Sequence, residues 1–130
     1  MKEKREYNLE ERTVNFAVVV LKLVGQLPSS YASNHLAKQI TRSSTAPALL
    51  YGEAQAAEST DDFIHKMSVA LKELRETSIC LKIIYKSNFL TWEQVKRVVQ
   101  ENRELIAIFT ASIETARKNK NSGKKGNRKM

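Results

Sequence analysis

Apolar side chains recur in alternating steps of four and three along four stretches of this 130-residue chain. That spacing keeps a seam on one side of an α-helix. The most regular stretch runs from Ser59 to about Lys86, where Phe63, Met67, Ala70, Leu74, Thr77, Leu81 and Ile84 share a face. Ser59 is placed to accept from the first free backbone N–H groups, and Asp62 stands three residues on, as in a capping box. The segment spans roughly 42 Å as a helix, so its partners must be long helices too.

Three further helices follow from the same reading. The first starts at Asn8, with Glu11 as capping partner, and carries the stripe Leu9, Thr13, Phe16, Val20, Leu23 and Leu27. A second stripe lies beside it: Val14, Ala17, Val18, Leu21 and Val24. Pro28-Ser29-Ser30 ends this helix, because proline cannot continue the hydrogen-bond ladder. The next stretch, residues 33–57, is the least regular, with Leu36, Ile40, Pro47, Leu50 and Ala54 as a loose stripe. Pro47 predicts a kink, or else a break near residues 43–47, with Ser43, Ser44 and Thr45 at hand for the loosened backbone groups. Ala46, Ala48, Gly52, Ala54, Ala56 and Ala57 are small enough to let a neighbouring helix approach closely. In the last helix, Thr91 and Gln94 spell a capping box. Val95, Val98, Asn102, Leu105, Phe109, Ser112 and Ala116 form its seam, flanked by Val99, Ile106 and Ile113.

Helices over about 8–27, 33–57, 59–86 and 91–117, joined by short connections, predict an all-α, antiparallel up-down-up-down four-helix bundle within residues 1–117. A monomeric bundle needs one apolar face per helix. The double stripe of the first helix, and the flanking aliphatics of the last, exceed that need and predict an interface with other copies.

Charge changes the picture at one end only. The formal net charge is +8, yet residues 117–130 hold seven basic residues and no acids, leaving 15 basic and 14 acidic residues (22 − 7 and 14 − 0) in the rest. The body is nearly neutral, and the segment 118–130, without apolar periodicity, is expected to be a disordered basic tail. Lys118, Lys120, Lys124, Lys125, Arg128 and Lys129 are the candidates for nucleic-acid contact, with Arg42 behind them. The tail's lack of aromatic residues argues against base stacking, and an inert solubilising tail is the other reading. Cys80 is the single cysteine, so no intrachain disulfide is possible and a reducing cytoplasm is expected. The longest apolar run, Phe16 to Leu21, is six residues, short of the roughly 18 a membrane span needs. The charged N-terminus has no secretory h-region.

The residues offer little for catalysis or metal binding. Carboxylate-bridged sites in bundles use Glu-x-x-His pairs, and the nearest match is Asp62-x-x-His65, which reads as a first-turn carboxylate beside a surface histidine. His35 stands alone, Cys80 has no histidine at helical spacing, and there is no glycine-rich phosphate loop. No metal, no cofactor and no small-molecule substrate are expected. Lys72 and Glu76, at i and i+4, predict a solvated or interhelical ion-pair face.

Residues 39–85 carry a resemblance. Arg42-Ser43-x-Thr45, Glu53-Ala54-Gln55, Ser59-x-x-Asp62-Phe63-Ile64-x-Lys66 and Ala70-Leu71-Lys72-Glu73 followed by Glu76-Thr77 resemble the bacterial four-helix bundle proteins encoded within intervening sequences of large-subunit ribosomal RNA genes. With the flanking helix lengths, the resemblance covers about residues 8–117. It implies a left-handed bundle assembling as a ring-like homopentamer, with no established biochemical activity. The chain is also similar to accessory proteins of diversity-generating retroelements, which bind a reverse transcriptase and nucleic acid through a basic surface. It departs from the family at Leu50, where asparagine is usual, and at Pro47. The motif residues Arg42, Ser43, Thr45, Glu53, Phe63, Lys66, Lys72, Glu73 and Glu76 are read as structural.

The leading expectation is a non-enzymatic homo-oligomer that binds RNA, DNA or a nucleoprotein partner. The alternative is a protein-interaction scaffold with an inert tail. An enzyme built on the polar groups around Arg42 and Glu53 is the remaining possibility.

Overall fold

A computed structural model describes the backbone of residues 8–129 and the side chains of residues 8–122. The chain forms four helices: α1 (Leu9–Val24), α2 (Tyr31–Gln55), α3 (Thr60–Lys86) and α4 (Trp92–Lys129). Each start has a chemical cause. The Glu11 amide donates to Asn8 Oδ1 at 3.1 Å, Ser33 to Ser30 Oγ at 3.1 Å and Asp62 to Ser59 Oγ at 3.0 Å. At α4 the box is reciprocal: the Gln94 amide donates to Thr91 Oγ1 and the Thr91 amide to Gln94 Oε1. α2 therefore begins at Tyr31, two residues before the position that its apolar spacing predicts, because Ser30 supplies the cap. α3 ends where Asn88 enters the left-handed region at φ 63°. There the Phe89 amide donates to Ile84 O and the Asn88 amide to Tyr85 O, the paired bonds of a Schellman turn.

α1 packs on α2 and α4, and α3 packs on α2 and α4. The bundle is thus a square, with α1 and α3 at opposite corners. The seams meet inside it. Val20, Ile40, Met67, Ala70, Leu74, Val95, Leu105 and Phe109 are fully buried, and the Tyr51 ring meets Phe109 edge-on with centroids 6.2 Å apart. On α4 the buried row ends at Ile113 rather than Ser112. A straight helix of 3.6 residues per turn drifts off a strict seven-residue repeat, so the final step is four residues instead of three.

Pro47 breaks nothing: α2 runs through it without interruption. The hydroxyls ahead of it bond to carbonyls one turn back, Ser43 to Ile40, Ser44 to Thr41 and Thr45 to Thr41 and Arg42. Pro47 itself is buried. Proline costs about 3 kcal/mol more than alanine in a helix interior. The ring's lost burial, about 1–2 kcal/mol, and proline's restriction of the unfolded chain, about 0.4–1 kcal/mol, oppose that gain. Pro47→Ala is therefore expected to stabilise the protein by about 1 kcal/mol in urea denaturation, and a fall in the midpoint would contradict it.

The basic end differs from expectation as well. α4 continues to Lys129, so residues 118–129 extend the helix instead of leaving it as irregular chain. Loss of apolar periodicity reports loss of burial, not of helicity. An existing helix adds residues one bond at a time, and the six lysines and arginines of 118–129 favour continuation while Gly123 and Gly126 oppose it.

Candidate functional site

Most of the family-like motif residues gather between α2 and α3, whereas Lys72 is exposed on the outward side of α3. The Arg42 guanidinium donates to Glu73 Oε1 at 3.1 Å and to Glu76 Oε1 at 2.8 Å, forming one bridge to two carboxylates about a turn apart on α3. The Glu76 hydrogen bond and the Glu73 charge raise the guanidinium above its ordinary pKa. Beneath this bridge, Ser43 Oγ and Thr77 Oγ1 share a buried hydrogen bond of 2.8 Å, and Thr77 also donates to Glu73 O. Lower on the same pair of helices, Lys66 Nζ reaches Glu53 Oε1 at 3.1 Å, and that bond holds the ammonium above its usual pKa. Phe63 packs half-buried against the core. Thr45 turns back on its own helix.

One sequence-based pairing changes. Glu76 is bridged by Arg42 of α2, not by Lys72. The guanidinium reaches over from the neighbouring helix and engages two carboxylates at once, which a single i, i+4 lysine does not match. Arg42 is consequently committed to acids inside the protein, as is Lys120, which pairs with Asp61 at the start of α3. Lys118 is exposed and has no ion pair among the described residues. Lys124, Lys125, Arg128 and Lys129 lie beyond the described side chains.

Other polar contacts escape spacing arguments altogether. Arg12, only 15% exposed, donates to Glu101 at 2.8 Å and also engages Glu104, joining α1 to α4. Asn102, in the seam of α4, donates to Leu74 O at 3.0 Å and to Ser78 Oγ at 2.7 Å. On the outward side of α3, Lys72, Arg75, Ile79, Lys82 and Lys86 step by three and four, the signal of a second face. None of those cations has an ion pair among the described residues. Cys80 is a free, half-buried thiol whose burial pushes its pKa up.

Together these features define a small all-helical bundle protein in which Arg42, Glu73 and Glu76 bridge two of the helices. The sequence profile of the 23S rRNA-intervening sequence protein matches residues 5–111, and the chain belongs to that family. A solved structure, described as a protein with unknown function from the S23 ribosomal protein family of Bacteroides thetaiotaomicron, is 30% identical. It aligns over 80% of this chain and 96% of its own, with a TM-score of 0.75. Comparison with curated proteins returns no match. Among the described residues no helix is long and apolar enough to cross a membrane.

Proposed function

We propose that this chain works by binding rather than catalysis: a cytoplasmic homo-oligomer, ring-like in the manner its family resemblance implies, that holds RNA or DNA phosphates at its basic C-terminal end. The observation that carries this reading is the continuation of α4. Lys120 is level with the first turn of α3, where it meets Asp61, and the helix then runs nine further residues, 121–129. That is about 14 Å of helix past the rim of the bundle. Residues 117–129 contain seven cations and no acid. In an oligomer such arms would lie side by side and bind one polyanion with raised effective concentration. The engagement of Arg42, Glu73 and Glu76 with one another supports a structural role for the motif.

One observation favours the alternative of a protein-binding scaffold: Lys120 and Arg42 are already neutralised by acids. Binding of single-stranded RNA and duplex DNA to the full chain, and to a chain ending at Arg117, separates the two. Binding at low salt that is lost on truncation supports the nucleic-acid reading; no binding by either chain overturns it.

A further inference from the structure

Apart from Leu49 of α2, the large aliphatics exposed among the described residues are on two helices. Val14, Val18 and Leu21 of α1 are 42–45% exposed, and Ile79 and Ile83 of α3 are 54% and 43% exposed. α1 and α3 occupy opposite corners of the bundle, so these are two separate patches. The patches also differ in charge. One turn before Val14 stand two exposed acids, Glu10 and Glu11. One and two turns before Ile79 stand the exposed cations Arg75 and Lys72, which with Leu71, Ser68 and Glu76 line a shallow depression.

The patches lie at the same height. Arg12 of α1 meets Glu101 and Glu104 of α4, and Asn102 of α4 meets Leu74 and Ser78 of α3. Residue 12 is thus level with residues 74–78. At the other end Gln26 bonds Gln94 of α4, next to Trp92, whose ring meets Tyr85 of α3. Because α1 and α3 run the same way, Glu10 and Glu11 are level with Arg75, and Val14 to Leu21 are level with Ile79 and Ile83.

We infer that the α1 face of one copy docks on the α3 face of a second copy, parallel and in register, so that acids meet cations and aliphatics meet aliphatics. The inference rests on the homo-oligomeric part of the function proposed above and names the two faces that form the contact. A phosphate backbone would satisfy Lys72 and Arg75 but would leave Ile79 and Ile83 unmatched. A helix with an aliphatic row and an acidic end satisfies all of them, and α1 is such a helix. The attraction is concentrated at the glutamate end, because Lys22 at the other end of the α1 face is level with Lys86. A contact between two different faces is head-to-tail. It passes from copy to copy, with little displacement along the bundle axis, until the rotations close a ring.

The test uses the full chain at micromolar concentration in light scattering, with far-UV circular dichroism to follow folding. Val18 and Ile79 are both exposed in the single bundle, so Val18→Asp and Ile79→Asp are expected to stay helical and to fall to the mass of one chain, while the parent remains a larger assembly. Mixed in equal amounts, the two variants should form a species of two chains and no larger, because each retains the face that the other lacks. Glu11→Lys and Arg75→Glu should each weaken assembly at low salt, and combining them in one chain should restore it. A monomeric parent would overturn both the oligomer and the interface. A parent that assembles while Val18→Asp keeps its full mass would overturn the interface alone. Failure of the two aspartate variants to pair would overturn the head-to-tail arrangement.

Discussion

Replacing Phe109 with alanine is expected to destabilise the protein by about 3–5 kcal/mol. Phe109 is fully buried where α4 faces the other helices, and it receives the edge of Tyr51 from α2. Its removal forfeits the transfer free energy of the ring, the aromatic pair and the contacts of every atom lining the hole. Those costs persist because close-packed helices relax only in part. Phe109→Leu fills most of the same space and should recover more than half of the loss. Urea denaturation at one fixed protein concentration measures the difference, the concentration being held because assembly adds to apparent stability. A loss below about 1.5 kcal/mol for the alanine variant, the ceiling for a well-tolerated core swap, would mean that the seam of α4 collapses around the gap, and that the packing described here is looser than its burial implies.

The second large effect is on binding. Each phosphate that a cation neutralises on a single strand contributes about −0.7 to the slope of log affinity against log salt. Six cations lie beyond Arg117: Lys118, Lys120, Lys124, Lys125, Arg128 and Lys129. Lys120 starts out paired with Asp61, but that pair is exposed, and exposed pairs are worth only about 0–1 kcal/mol. Five or six phosphate contacts per chain give a slope of about −3.5 to −4, so RNA affinity should fall roughly 100- to 300-fold between about 50 and 200 mM salt. Truncation after Arg117 should abolish most of that slope. An unchanged slope would move the nucleic acid to another surface.

The bundle was legible because its information is local. The row Phe63, Met67, Ala70, Leu74, Thr77, Leu81 and Ile84 repeats on one face, and every member after the half-buried Phe63 is buried. The caps at Asn8, Ser59 and Thr91 bond as their spacing predicts. What was not legible depends on other helices. Glu76 has a cation at helical spacing in Lys72, yet Arg42, 34 residues away in sequence, takes it. No spacing rule pairs Arg12 with Glu101, or aims Asn102 at the backbone of α3. The course of α2 through Pro47 was open for the same reason, since packing on both sides decides whether a turn that lacks a hydrogen bond still holds. The helical continuation past Arg117 was missed because periodicity detects only faces that are buried.

The composition of the α2 seam has a consequence for how the molecule breathes. Of its buried positions Ser33, Ser43, Ser44, Pro47 and Ala54 are small or polar, and only Leu36 and Ile40 are large. α2 is therefore held by close approach and by bonds such as Ser43 to Thr77, which lapse together once the helix backs away by an ångström or two. A helix anchored by bulky side chains loses its grip gradually, whereas one held at short range lets go as a unit. An outward step of α2 would carry Arg42 with it and uncover Glu73 and Glu76.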